Sequence, residues 1–216
     1  LRTPLTAISG AAAVLLSSEE PRSEKDVSLL NDIKNDAEAL TTMVENLLSI
    51  TRIQDASVPL KKREEMLEEV AGDAVLTTRR RFPDANVQLD LSEDILFLPM
   101  EPMLIKQVMV NLLENAIRHS GDHDHIRLHL FRQDDWAVVE VRDRGKGISP
   151  EVRQAVQSGR PLSARLSDDS SRGMGIGLSV CQSIIKAHNG FFAASNDPEG
   201  GAVFRFGLPL EETNDE

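Results

Sequence analysis

Three clusters in this chain have the residue types and spacing that chemistry requires. The first is Asn111-Leu112-Leu113-Glu114-Asn115-Ala116-Ile117-Arg118-His119. Asn111, Asn115 and Arg118 fall at i, i+4 and i+7, so a helix places them on one face. Two neutral amides beside an Arg can hold a hard cation and phosphate oxygens without adding negative charge, and Mg²⁺ takes few protein ligands. The plain alternative is a polar helix face meeting solvent. The second cluster is Val141-Arg142-Asp143-Arg144-Gly145-Lys146-Gly147-Ile148, a strand running into an Asp and a Gly-x-Gly turn. A carboxylate at a strand end accepts a hydrogen bond from an amino group such as that of a purine, and glycines let the backbone approach a flat ring. The same residues are also an ordinary turn signal. The third is Arg172-Gly173-Met174-Gly175-Ile176-Gly177-Leu178, leading into a helix expected from Ile176 to His188. Free amides at a helix N-terminus make an anion site. The spacing fits neither Gly-x-G-x-x-Gly nor a Gly-Lys-Ser/Thr phosphate loop. Three alternating glycines are more than a helix cap needs.

The elements that must carry these clusters follow from periodicity. In the region after Pro59, residues 64 to 81 read as a helix with Leu67, Val70 and Ala74 on one face, ending in Arg79-Arg80-Arg81. Three cations suit a helix C-terminus, so they are read as dipole partners and not as a nucleic-acid patch. Val87, Leu89 and Leu91 alternate as a strand, and Ile95 to Leu98 make another. Pro102 opens a helix to about His119, whose stripe Leu104, Val108, Leu112 and Ala116 lies beside the amides. Ile126, Leu128 and Leu130 alternate into the turn Asp134-Asp135 and return through Trp136 to Arg142. A last hairpin pairs Phe191–Ser195 with 203–208 around Asp197-Pro198-Glu199-Gly200, with Phe204, Phe206 and Leu208 on its buried face. Helices with mostly antiparallel strands predict an α/β sandwich, one sheet covered on one face.

The first 55 residues read differently. Leu1, Leu5, Ile8, Ala12 and Leu15 step by heptad intervals, and so do Leu30, Ile33, Ala37, Leu40, Val44, Leu47 and Thr51. A break at Ser17-Ser18-Glu19-Glu20-Pro21 separates them, and Ser23 is the expected cap of the second helix. This predicts an antiparallel helical hairpin that gains stability by pairing with a second copy into a four-helix bundle. The whole is therefore α+β, divided as 1–57 hairpin, 58–212 sandwich and 213–216 acidic tail.

Composition agrees. The 216 residues carry 24 Lys plus Arg against 35 Asp plus Glu, a net charge of −11, which disfavours a nucleic-acid groove. One Cys makes no internal disulfide. No apolar run approaches the ~18 residues of a membrane span. All eight aromatics, seven Phe and one Trp, lie from Phe82 onward, so the hairpin uses none.

Taken together, in this order, the three clusters resemble the catalytic and ATP-binding domain of sensor histidine kinases, whose fold is shared with gyrase and Hsp90-like ATPases. Asn111 and Asn115 match the asparagine box, Asp143 to Gly147 the first glycine box, and Gly173 to Gly177 the second. The resemblance implies ATP and Mg²⁺ as cofactors, with Asn115 on the metal. It implies that Asp143 reads the adenine amino group and Arg118 reaches the phosphates. The further implied nucleotide contacts are His119, Gly145, Lys146, Gly147, Ile148, Arg172, Gly173, Met174, Gly175, Ile176, Gly177 and Leu178. In the ATPase relatives the position of Asn111 holds a Glu that activates water. An Asn is no base, which favours transfer to a side chain over hydrolysis.

Leu1-Arg2-Thr3-Pro4-Leu5 resembles the tail of the phosphoacceptor box, His-Asp/Glu-Leu-Arg-Thr-Pro-Leu. This implies a homodimer through residues 1–55, phosphotransfer to a response-regulator receiver domain, and a phosphatase role for Thr3. The acceptor His is expected just before Leu1, in a longer kinase whose membrane spans lie outside this sequence and whose core faces the cytoplasm. The five histidines present, at 119, 123, 125, 129 and 188, are not on the hairpin. A closer likeness, to KdpD-type potassium and turgor sensor kinases, rests on Pro99-Met100, Gln107-Val108 and Asn196-Asp197-Pro198-Glu199-Gly200-Gly201-Ala202. One departure stands out. The segment that in the family carries a Phe anchoring the ATP lid reads here Val152 to Pro161 without Phe, followed by a Ser- and Asp-rich loop at 163–171. This keeps open a nucleotide-responsive dimerisation module without catalysis; an ATPase or serine kinase of the same fold is the third reading. His123, His125 and His129 read as a solvated strand face, Cys181 as a packing residue and His188 as a helix-end residue.

Overall fold

The computed structural model describes residues 2–17, 23–54, 60–120, 125–158 and 174–211. The break at 18–22, the loop at 163–171, Arg172, Gly173, His123 and the tail at 213–216 lie outside the described residues. The chain divides into two compact units, Leu1–Thr51 and Arg52–Glu216. The expected boundary at 57 falls among residues outside the description.

The first unit is helical. Helix α1 spans Arg2–Ser17 and α2 spans Glu24–Gln54. Ser23 caps α2 as expected. Its Oγ accepts the Asp26 N–H at 3.2 Å, and its hydroxyl donates to the Asp26 carboxylate at 2.7 Å. The heptad seam is only partly covered. Ala12 and Ala37 are buried, whereas Ile8, Leu15, Ile33 and Leu40 stay 46–47% exposed.

The second unit contains β1 (Arg63–Met66), α3 (Leu67–Arg81), β2 (Val87–Leu91), β3 (Phe97–Met100) and α4 (Pro102–Ser120). It continues through β4 (Ile126–Gln133), β5 (Trp136–Arg142), α5 (Pro150–Ser158), α6 (Met174–Ala187), β6 (Phe191–Asn196) and β7 (Ala202–Pro209). The five-stranded sheet has the order β2-β4-β5-β7-β6. Only the β2–β4 pair is parallel, with α4 in the crossover that such a pair needs; the others are antiparallel. Register sets the faces. Leu128 opposes Val141 and Leu130 opposes Val139, while Val139 opposes Phe206, so these side chains form one buried layer. Helices α3, α4 and α6 cover it, and α4 lies between the other two. Ile105, Val108, Met109, Leu112 and Leu113 of α4 are all fully buried. At ~1.5–3 kcal/mol for each large apolar side chain, α4 is the firmest support available to the first cluster. No described helix is long and apolar enough to cross a membrane.

Three expectations shift. Residues 64–81 are not one helix: Met66 is extended (φ −81°, ψ 117°), and Arg63–Met66 pairs with β3 before α3 begins. Glu64 and Glu65 show no strand alternation, and the partner that selects the extended form is distant in sequence. That pairing also moves β3 from the expected 95–98 to Phe97–Met100. Helix α6 starts at Met174, two residues before the expected Ile176. Helix α5 falls in the segment expected to hold the lid box.

Candidate functional site

Pro102 occupies the first position of α4, where its missing N–H costs nothing, and the Glu101 carbonyl accepts the Ile105 N–H at 3.1 Å. From that start the helix carries Asn111, Asn115, Arg118 and His119 toward its C-terminal end, where Gly145 packs against Ser120. Asn111 is buried, and its Nδ2 lies 3.9 Å from the Cys181 sulfur on α6. Complete burial pushes the Cys181 thiol up to about 12, so it remains protonated and serves packing, as expected. One turn on, Asn115 presents a buried Nδ2 with no hydrogen-bond partner among the described residues. Buried amides without partners are rare and costly. A carboxamide in this state offers an N–H to a phosphate oxygen and an oxygen to a hard cation. The donor set therefore fits Mg²⁺ held through one neutral protein ligand, with phosphates and water completing its shell.

The Asp143 carboxylate is buried and fixed. Its Oδ1 accepts the N–H of Gly145 at 2.8 Å and that of Ala202 at 3.1 Å, and its own N–H donates to the Ala202 carbonyl at 3.0 Å. No bond to Oδ2 is found among the described residues. The carboxylate is thus aimed by its backbone and keeps one oxygen for an amino group.

The glycines of the second cluster serve the chain as well as any ligand. A Cβ on Gly145 would overlap the Ser120 Cα and crowd the His119 carbonyl, so this glycine lets the turn rest on the end of α4. Gly147 has φ +76°, a conformation that side-chain-bearing residues rarely adopt. The first two clusters meet at His119. Burial first, then the cations Lys146 and Arg118, lower its pKa, while Asp143 acts in the opposite direction. His119 therefore stays neutral near pH 7. The Arg118 guanidinium lies 5.3 Å from the centre of the Phe82 ring, a cation–π contact just after α3.

In the third cluster, Met174, Gly175, Ile176 and Gly177 form the first turn of α6. The first four N–H groups of a helix have no partner within it, so this turn directs backbone donors outward. Glycine disfavours a helix, so the sequence pattern puts the start two residues late, yet α6 takes Gly175 and Gly177 into its first turn. Leu178 is fully buried and belongs to the core. Thr3 lies in the first turn of α1, and its side chain is outside the described residues.

Sequence reasoning missed the turn 196–202 as part of this site. The sequence marks it as a hairpin turn and a likeness motif and not as part of the site, although Ala202 holds Asp143 and Asp197 pairs with Arg142 at 2.6 Å. Arg142 also bonds Glu140 at 2.9 Å. Burial alone would raise the Glu140 carboxyl, yet hydrogen bonds from Arg205 and Arg142 hold it below the usual range. The available signal was the Gly200-Gly201 pair; its contact with Asp143 required the fold.

A sheet covered on one face by three helices, with amides on the central helix, an aspartate at a strand end and glycines at the next helix start, defines a class. Residues 100–212 match the model of the histidine kinase-, DNA gyrase B-, and HSP90-like ATPase family, and residues 1–56 match the His Kinase A (phospho-acceptor) domain. The chain belongs to this family, and its two matched modules are those of a sensor histidine kinase core.

Among individual proteins, it is 36% identical over 212 residues to the sensor protein KdpD of Clostridium acetobutylicum, covering 98% of this chain and 24% of that protein. It thus spans about a quarter of that relative's length. Two solved structures, of ShkA and of the histidine kinase ThkA, share the fold. Full-length ShkA in complex with AMPPNP superposes with a TM-score of 0.67 at 20% identity, over 96% of this chain and 43% of that one. ThkA in complex with the response regulator TrrA gives 0.66 at 23% identity, over 97% and 58%.

Proposed function

We propose that this chain is the cytoplasm-facing catalytic core of a two-component sensor histidine kinase. It transfers the γ-phosphoryl group of ATP to a histidine upstream of Leu1, and then to an aspartate of a response-regulator receiver domain. In the first step the bond from γ-phosphorus to its bridging oxygen breaks and ADP leaves. A phosphorus–nitrogen bond forms on the imidazole, which releases its ring proton. In the second step a carboxylate oxygen bonds to phosphorus as the phosphorus–nitrogen bond breaks, and the imidazole regains a proton.

The observation that carries this reading is the buried Asp143 carboxylate, pinned on Oδ1 by two backbone N–H groups with Oδ2 left for an exocyclic amino group. On this reading Asp143 selects adenine. Asn115 holds the metal and Arg118 and the first turn of α6 receive phosphate oxygens. Mg²⁺ supplies charge neutralisation on those oxygens when bound. Asn111 has no basic atom with which to activate water, so the arrangement favours transfer. Most of the rate comes from positioning and electrostatics, as in phosphoryl transfer generally. The exposed apolar residues of α1 and α2 support a homodimer, and the match of Leu1–Leu5 to the phosphoacceptor box, which puts Thr3 four residues after the expected histidine, supports a phosphatase role. Likeness to KdpD supports a potassium- or turgor-linked stimulus and a membrane anchor outside this sequence.

Titration calorimetry with Mg-ATP tests the core of the reading. Wild type should bind, and Asn115→Ala or Asp143→Ala should weaken binding by about 100-fold or more. Absence of nucleotide binding to the wild-type chain would refute it. In the full-length parent, radiolabel from γ-labelled ATP should become acid-labile and base-stable, as a phosphohistidine is.

A further inference from the structure

A carboxamide carries one acceptor and two donors, so it can bond both backbone groups of a single residue, as a strand partner does. Asn196, the last residue of β6, does this to Ile148. The Ile148 N–H donates to Asn196 Oδ1 at 2.7 Å, and Asn196 Nδ2 donates to the Ile148 carbonyl at 3.1 Å. Directly before Ile148 stands Gly147 at φ +76°, and a Cβ there would lie 2.7 Å from Asn196 Oδ1. At the other end of the same loop, the Asp143 N–H donates to the Ala202 carbonyl, and the Ala202 N–H donates to Asp143 Oδ1. Residues 144–147 are thus tied at both ends to one hairpin, once through its backbone and once through the Asn196 side chain. Arg144 adds only a 3.9 Å approach to exposed Glu199, which is worth little.

We propose that Asn196 is a positioning residue for the nucleotide base. Its two-point clamp on Ile148 holds the Gly147 turn in its left-handed form, and so keeps the loop beside Asp143 in the shape that receives the ring. The inference rests on the nucleotide reading above and extends it to a residue outside all three clusters. Without the clamp the loop must be ordered at the moment of binding, and that cost appears as lost affinity. The demand on residue type is strict. Asp keeps the acceptor for the Ile148 N–H but sets a carboxylate against the Ile148 carbonyl. Ala removes both bonds.

The test uses wild-type chain, Asn196→Ala and Asn196→Asp. Three readouts are taken: Mg-ATP affinity by calorimetry, thermal midpoint without nucleotide, and exchange of the Ile148 amide proton by NMR without nucleotide. Asn196→Ala should weaken Mg-ATP about tenfold and speed Ile148 exchange, with the midpoint moved by no more than ~2 °C because the side chain is exposed. Asn196→Asp should fall between the two, and decides the matter if Asn196→Ala does not fold. Affinity within twofold of wild type in the folded variants overturns the proposal, whether Ile148 exchange changes or not. Loss of midpoint in proportion to loss of affinity reduces Asn196 to a structural residue and overturns it too. If wild type binds no nucleotide, the kinase reading falls and this inference with it, while Ile148 exchange still reports whether the clamp exists.

Discussion

Gly201 lies against Asp143 so closely that a Cβ at Gly201 would overlap the Asp143 carbonyl oxygen. The hairpin that follows the last cluster is therefore the back wall of the residue expected to read the base. Gly201 also has φ +98°, where any side chain is strained. Two penalties act at one position. Gly201→Ala should cost about 2–4 kcal/mol of stability, near the upper range for a point change. Chemical denaturation should show this, with Mg-ATP binding lost at temperatures where the variant remains folded. A variant as stable as wild type would mean that the hairpin shifts freely.

Arg81 at the end of α3 meets Glu114 on α4 at 2.5 Å, with the glutamate side chain 8% exposed. Glu114 lies between the two asparagines, so this pair ties the first cluster to α3. Glu114 is desolvated while Arg81 stays about one-third exposed, so removing the arginine costs more than the pair is worth, with solvent offsetting part of the loss. Arg81→Met should lose about 2–3 kcal/mol, and adding Glu114→Gln to it should recover part of the loss. A double-mutant cycle by urea denaturation checks the coupling; additive losses would contradict it.

His188 is buried at the end of α6. Its Nδ1 is 2.8 Å from the Ile184 carbonyl and its Nε2 accepts the Glu101 N–H at 3.1 Å. The second bond requires the neutral ring. Burial first, and then nearby Lys62, lower its pKa, against the pull of the Ile184 carbonyl. His119 is shifted the same way. The unfolded chain therefore binds more protons than the folded one below the ordinary histidine value near 6.5. Stability should be fully present above about pH 7 and fall as pH drops through 6. Urea midpoints from pH 7.5 to 5.5 should show that slope, and His188→Gln should flatten it.

How much of this was legible in sequence depends on range. The heptad steps of α2, the alternation of β4 and the Pro102 start of α4 are local signals, and each element formed near its expected place. Asn111, Asn115 and Arg118 could be placed together because one helix spaces them at i, i+4 and i+7. The short strand β1 could not be seen, since four residues give no period and its partner β3 supplies the reason for it. The hairpin's part in the site was equally hidden. Asn196 finds Ile148 across 48 residues of sequence, and only the register of β5, β7 and β6 brings them together.

The helical unit leaves Ile8, Leu15, Ile33 and Leu40 nearly half exposed at seam positions, whereas Ala12 and Ala37 on the same seam are buried. Apolar side chains repeating at heptad spacing and left half in water gain by meeting a second helical pair. Each contributes roughly 1 kcal/mol on full coverage, taken as about half of complete burial, and a two-fold arrangement counts each twice. Light scattering of the wild-type chain should give about twice its 23.8 kDa mass at micromolar concentration. Ile33→Lys with Leu40→Lys should shift it to monomer without altering Mg-ATP affinity, because those residues lie in the other compact unit. A wild-type monomer at the highest soluble concentration would rule out the dimer through this unit.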